Sequence, residues 1–422
     1  MRIAMVHTPF WGRAGGERQI LRLAIELQKI GHEVEVFTNG VNEETYPDFF
    51  KQLTVNVIPH PMEGKMPRFL APAENYTKSL GVGTESTSSL RAWMRRYMGR
   101  AFYVIPYQLP CMLNMGLKIP KRFDVINNHN FPTEWAAFFA KKRLKVPIVW
   151  MCNEPPYWFF APELRSGLRK LNWPAFELLD RVAAEYVDEI CVLSEVATGF
   201  VRKAYDRSAT VVRTGVDTEF FHNASGKDLR RKYDLENDFV ILFVGGSTYA
   251  RRSELVRALY QLSKKHGHIK LILDVTPRQR ETLTKLGEEL GITNKILFLR
   301  SGTDKELAEV YAACDVFVYP SSISPWGLVV TEAMAAAKPV VVSKQVGVSE
   351  IIQNGVNGLI IDRTNPERIV EQVETLMNNP RLRREIGQNA YEYVKTNLSW
   401  EKYARTMENI FQRVTANYGS RP

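Results

Sequence analysis

The sequence predicts an α/β chain of two doubly wound, Rossmann-like parallel-sheet domains. Three observations carry this. Short runs that are apolar at nearly every position, such as RIAMV, FVILFV and PVVV, alternate with longer helical stretches along both halves. Such runs suit strands of a parallel sheet covered on both faces, and the alternation is the βαβ rhythm. The length, 422 residues, allows two domains that each bury a sizeable core. The composition fits a soluble globular chain, with 45% hydrophobic and 24% charged residues.

In chain order, Arg2 to Thr8 reads as a buried strand that begins at once, with no apolar leader after a basic start. The loop WGRAGGER follows and leads into a helix from about Glu17 to Ile30, closed by Gly31. Gly15 and Gly16 suit two roles: a backbone cradle for phosphate, or an ordinary strand–helix turn. HEVEVF, TVNVIPH, FDVINNH, VPIVWMC and EICVLS are the next strands, with helical stretches between them. His129 ends FDVINNH; a histidine at a strand end is either structural or catalytic, and chemistry alone does not separate the two.

Charge is unevenly spread. The net charge is +10, and between Lys65 and Val125 ten Lys or Arg stand against three acids. That predicts one local basic surface, and no nucleic-acid partner. Pro61 to Ser89 is rich in Pro, Gly, Ser and Thr and reads as a long loop. LRAWMRRYMGRAFYV then sets Leu90, Trp93, Met94, Tyr97, Met98 and Ala101 on one helical face and Arg91, Arg95, Arg96 and Arg100 on the other. This is the pattern of a helix lying on an anionic membrane surface, with Trp93, Arg95, Arg96 and Arg100 as contact candidates. It is equally the pattern of a core-facing helix with a solvated basic back. Residues 101–117 carry no charge, but Pro106, Pro110 and Asn114 speak against a spanning helix. The four cysteines, at 111, 152, 191 and 314, lack C-x-x-C spacing and read as small buried hydrophobes in a reducing, cytoplasmic setting, with no metal site.

The second half repeats the architecture with FVILFVGG, IKLILDV, KILFLR, DVFVYP, PVVVS and GLIID as strands. Its organising stretch is YPSSISPWGLVVTEAMAAAKPVVV, from Tyr319 to Val342. A strand ends at Tyr319, a polar loop follows, and Pro325 suits the first turn of a helix from Trp326 to Ala337. A helix that opens at the carboxyl end of a strand presents free N–H groups and a positive dipole end, a ready site for a nucleotide diphosphate. Gly327 permits close backbone approach, and Glu332 lies within reach of sugar hydroxyls.

This stretch resembles the donor-site motif of retaining glycosyltransferases of the GT-B fold, family four. The aromatic-glycine-leucine step stands as Trp326-Gly327-Leu328 and the second glutamate as Glu332, while Ser324 occupies the place of the first glutamate. Ala14-Gly15-Gly16-Glu17-Arg18 is similar to the family's first loop, His129 to its strand-end histidine, and Thr214-Gly215-Val216-Asp217 to its hinge strand. In GGSTYARRSE, Gly246 stands where the family has an arginine and Arg251 where it has a lysine, with Arg252 as the register alternative. Val346 and Ser349 replace a glycine and a proline in a later loop, and Ala337 a glycine.

The resemblance implies two Rossmann-like domains facing across a cleft. Residues 1–221 would form the acceptor-side domain, residues 222–398 the nucleotide-sugar domain, and the C-terminal helix 399–422 would pack back on the first. It implies a metal-independent, retaining hexosyltransferase with no cofactor and a UDP- or GDP-linked sugar as co-substrate. The diphosphate would be held by Arg251 and by the helix N-terminus at Trp326, Gly327, Leu328 and Val329. Ser324 would face the hexose, Glu332 the ribose, and Gly15 and Gly16 the donor phosphates and acceptor. His129 and Glu332 are the catalytic candidates. The expected acceptor is a lipid-linked saccharide, with the enzyme cytoplasmic or peripheral on a membrane. The donor-site departures leave two other readings: a catalytically silent binding or assembly subunit, and a nucleotide-sugar epimerase.

Overall fold

The computed structural model describes residues 1–12, 15–61, 108–154, 169–245 and 250–418. The amphipathic basic stretch with Trp93, Arg95, Arg96 and Arg100 lies outside these residues, as do Ala14 and Gly246. The chain divides into two compact units, one reaching to Arg213 and joined by the segment from Tyr403, the other running from Thr214 to Lys402.

The first unit holds β1 (Arg2–Val6), α1 (Gly15–Lys29), β2 (Glu33–Thr38), β3 (Thr54–Val57), α2 (Leu109–Lys118), β4 (Val125–His129) and α3 (Thr133–Leu144). It continues with β5 (Ile148–Met151), α4 (Arg169–Glu185), β6 (Glu189–Val192), α5 (Glu195–Tyr205) and β7 (Thr210–Val211). The strands form one parallel sheet in the order β3-β2-β1-β4-β5-β6-β7, with Ile3 opposite both Val34 and Val125. The order reverses between β1 and β4, which opens a crevice at the carboxyl ends of those strands. Ile3, Met5, Val125, Ile126, Val149 and Trp150 are fully buried, as strands covered on both faces require.

The second unit holds α6 (Thr218–His222), β8 (Phe239–Val244), α7 (Arg252–Ser263), β9 (Ile269–Asp274), α8 (Pro277–Glu289), β10 (Ile296–Leu299), α9 (Asp304–Ala313) and β11 (Val316–Tyr319). There follow α10 (Leu328–Ala335), β12 (Val340–Ser343), β13 (Leu359–Ile361), α11 (Pro366–Asn378) and α12 (Pro380–Asn397); α13 (Trp400–Tyr418) begins here and belongs to the first unit from Tyr403. Its parallel sheet runs β10-β9-β8-β11-β12-β13, with the reversal between β8 and β11. The four cysteines are free and buried.

Three local expectations are corrected. The segment expected as one hinge strand is a strand only at Thr210–Val211; Gly215 passes against Trp400, where a Cβ would lie 2.5 Å from the backbone nitrogen, and a helix begins at Thr218. Phe221, expected at the domain boundary, lies inside the second unit, its ring edge-on to Tyr311 at 5.6 Å. The helix expected from Trp326 begins at Leu328, because Gly327 at φ 127° turns the chain out of helical geometry.

Candidate active site

In the second unit, three loops at the carboxyl edge of the sheet are laced together. Ala250 bridges Ser321, and Arg251 N–H donates to the Pro320 carbonyl at 2.7 Å. Ser324 bridges Val346, Gly347 N–H donates to the Ser324 carbonyl at 2.9 Å, and Val348 N–H to the Trp326 carbonyl at 3.2 Å. Val346, which stands where a glycine was expected, is a fully buried anchor of this lacing. The loops after β8, β11 and β12 therefore hold the turn into α10 in one place.

That turn places the candidate donor groups. Leu328 and Val329 are the first two residues of α10, so their N–H groups have no carbonyl one turn back to bind. The N–H of Val330 is already used by the Gly327 carbonyl at 2.9 Å. Trp326 precedes the helix and is buried, with its indole N–H lacking a partner among the described residues. Glu332, one turn further in, is 6% exposed, and the Tyr311 hydroxyl donates to its Oε2 at 2.8 Å. Tyr311 orients this carboxylate from α9 and was not foreseen: at helical spacing it reads as a core aromatic, which it also is.

Arg251 is exposed just ahead of α7. Arg252, its register alternative, is instead part of the packing: its guanidinium lies over Phe243 at 5.6 Å and within 3.4 Å of the Gly245 carbonyl, and burial lowers its pKa. Of the two, Arg251 is the cation that a ligand at this edge can reach.

In the first unit, Gly15 opens α1, and Gly16 lies so close to Asn130 that a Cβ would stand 2.7 Å from its Nδ2. Asn130 follows His129 with φ 61°. Gly16 and His129 thus meet at the β1/β4 edge. His129 is fully buried; its Nε2 lies 2.8 Å from Asn127 Oδ1, and its Nδ1 has no partner among the described residues. Because Asn127 Nδ2 already donates to the Val149 carbonyl at 3.0 Å, its oxygen is the acceptor, so His129 carries its proton on Nε2 and presents a lone pair at Nδ1. Burial, and then the neighbouring His7, hold His129 well below the ordinary histidine range. It is neutral at physiological pH. Among the described residues, no three His, Cys, Asp or Glu cluster in a way that could hold a metal ion.

The site residues therefore gather in two groups, one at each switch point. Comparison with known proteins gives the chemistry. Residues 14–214 match the glycosyl transferase 4-like domain, and residues 226–393 match glycosyl transferases group 1. The chain is a family-four-like glycosyltransferase of the GT-B fold. It is 27% identical to the uncharacterized glycosyltransferase MJ1607 of Methanocaldococcus jannaschii over 98% of each chain. It is 26% identical to the D-inositol 3-phosphate glycosyltransferase of Salinispora arenicola, over 98% of this chain and 90% of that one. The fold is shared with Anabaena Alr3699/HepE, solved with UDP and glucose, at 18% identity and a TM-score of 0.74 over 98% and 99% of the two chains.

Proposed function

We propose that the enzyme is a retaining hexosyltransferase that takes its sugar from a UDP- or GDP-linked donor. The observation that carries this is the turn into α10, where Gly327 at φ 127° brings the first N–H groups of a helix beside the buried, tyrosine-held Glu332. The helix N-terminus and Arg251 receive the diphosphate, and Glu332 accepts hydrogen bonds from the ribose hydroxyls. As the bond from the anomeric carbon to the diphosphate breaks, charge grows on the departing oxygen, and these fixed dipoles stabilise it without reorganising. No metal and no cofactor enter this scheme. The retaining course rests on the family resemblance.

Ser324 offers the hexose a short neutral hydroxyl, which supports a donor preference unlike that of a glutamate-bearing site. His129 is neutral and presents a lone pair at Nδ1, so it can accept a hydrogen bond from an acceptor hydroxyl, and burial makes it a weak base. The Salinispora relative is named for an inositol phosphate, and Anabaena Alr3699/HepE binds UDP and glucose. Together they support UDP as carrier and a hydroxyl of a polyol or saccharide as acceptor, a lipid-linked saccharide among them. No helix among the described residues is long and apolar enough to cross a membrane, so a lipid-linked acceptor would be met by a peripheral enzyme.

A thermal-shift panel of UDP, GDP, ADP and their sugars tests the reading, with Glu332→Ala as control. A shift with one base, lost in the control, is the expected result and names the carrier. No shift with any nucleotide would reject the donor site and leave a binding or assembly subunit.

A further inference from the structure

We propose that Asn153 determines acceptor specificity: its side-chain carbonyl takes a hydrogen bond from a hydroxyl of an uncharged, polyhydroxylated acceptor. This rests on the glycosyl-transfer reading above and names what the first unit recognises.

The argument follows a directed chain of hydrogen bonds at the β1/β4/β5 edge. His7 Nδ1 lies 2.7 Å from the Thr8 carbonyl. A carbonyl only accepts, so Nδ1 carries the proton and Nε2 is a lone pair. The Asn130 amide lies 2.9 Å from that Nε2, and therefore donates through Nδ2. This turns Asn130 Oδ1 toward Asn153, whose Nδ2 donates to it at 2.8 Å. Each amide is oriented by the one before it. What remains at the end is Asn153 Oδ1, buried and without a partner among the described residues. Asn153 itself is 6% exposed.

The surroundings keep the chain from reversing. Asn130 is held at φ 61°, with Gly16 of α1 against its amide. Burial brings His7 down to about 4, so near neutral pH it does not gain a second proton and turn Nε2 into a donor.

Buried polar atoms in native proteins are almost always paired, so a carbonyl left alone among the described residues calls for a further donor, which we assign to a bound ligand. Its position is the edge where doubly wound sheets take ligands. His129 Nδ1, at the same edge, is a second buried lone pair without a partner among the described residues. Neither atom can donate. The two therefore select molecules that present O–H groups, and His7 and Asn130 are positioning residues that act through Asn153.

The test uses the full chain saturated with UDP. Binding of myo-inositol and of methyl α-D-glucoside is measured by saturation-transfer NMR, for the parent and for Asn153→Leu, which keeps the branched outline and removes the amide. The expected result is saturable binding of at least one polyol that weakens about tenfold in Asn153→Leu, the factor that roughly 1.4 kcal/mol carries. UDP affinity is expected to stay unchanged. Polyol binding equal in both proteins overturns the proposal, as does UDP binding with no polyol binding, which would leave the carbonyl to water only. Failure of UDP to bind removes the donor reading itself and this inference with it.

A second measurement is independent of any ligand. The relay fixes the His7 proton on Nδ1, against the Thr8 carbonyl, and leaves Nε2 as the acceptor for Asn130. Long-range 1H–15N spectra of 15N-histidine-labelled protein near neutral pH are expected to show that tautomer. A proton on Nε2 overturns the relay.

Discussion

Glu134 and Asp180 are neighbours in the interior of the first unit, both fully buried. Asp180 is well supplied with donors: the Trp135 indole at 3.0 Å and the Tyr205 hydroxyl at 2.7 Å. Glu134 is not, and burial followed by the charge of Asp180 pushes it well above the ordinary carboxyl range. Glu134 is therefore the protonated member of the pair. The sign of its effect on stability follows. The folded chain keeps a proton that the unfolded chain releases above about pH 4.3, so the contribution is full below that pH and is lost as pH rises toward the folded value. Glu134→Gln needs no proton. Urea midpoints from about pH 5 to 8 should fall less steeply in the variant, by at most roughly 1.4 kcal/mol per pH unit. Parallel slopes would show that the pair shares no proton. Neither acid could be read as paired from sequence, because each looks like an ordinary polar residue on a helix and only the fold brings them together. The same holds for Tyr311 behind Glu332 and for His7 and Asn130 behind Asn153. The candidate donor residues stand in one local motif, whereas Tyr311, which orients Glu332, comes from another helix.

At the scale of elements, α10 shows which local signals were legible. Its start was misplaced by two residues, since Pro325 is a sound first-turn residue and nothing in the sequence shows that Gly327 adopts φ 127°. Its end was expected at Ala337; the last helical residue is Ala335, and Ala337, at φ 55°, lies two residues beyond it, where the chain turns left-handed. There the N–H of Lys338 donates to the Ala333 carbonyl and that of Ala337 to the Met334 carbonyl, the paired bonds of a Schellman cap. Lys338 Nζ continues outward to the carbonyls of Ala312 and Cys314, which ties the cap to the end of α9. A left-handed alanine costs about 1 kcal/mol relative to glycine. Two substitutions at the two ends should then act with opposite sign. Ala337→Gly should raise stability by about 1 kcal/mol and leave nucleotide affinity alone. Gly327→Ala should lower stability by roughly 1–3 kcal/mol, through left-handed strain and a Cβ 3.3 Å from Val348, and should weaken nucleotide binding as the first turn shifts. Thermal melts with and without UDP decide it. Equal UDP-induced shifts in both variants would separate the turn from the donor site.

At the scale of the whole molecule, the two parallel sheets were legible because their strands are apolar at nearly every position, so the βαβ order could be read directly. The limits of the units were less so, because they depend on which segments pack together. The helix α13 makes this plain. Its first residues belong with the second unit, and from Tyr403 onward it belongs with the first. Tyr403, Met407 and Phe411 are fully or almost fully buried, His32 meets Glu408 at 3.0 Å, and Arg413 meets Glu189 at 3.1 Å. The polar anchor is the Tyr403 hydroxyl, 2.9 Å from Gln19 Nε2 in α1. Gln19 is buried, and its Oε1 has no partner among the described residues. Tyr403→Phe keeps the packing and strands the Gln19 amide donor as well, at a cost of about 1–3 kcal/mol. The loss should be confined to the unit that Gln19 helps to hold. Native-state hydrogen exchange should show protection falling in β1, β4, β5 and β6, while β8, β9, β11 and β12 keep theirs. An equal fall in both sheets would mean that the two units open together, and α13 would then be a strap for the whole chain, not an element of the first unit.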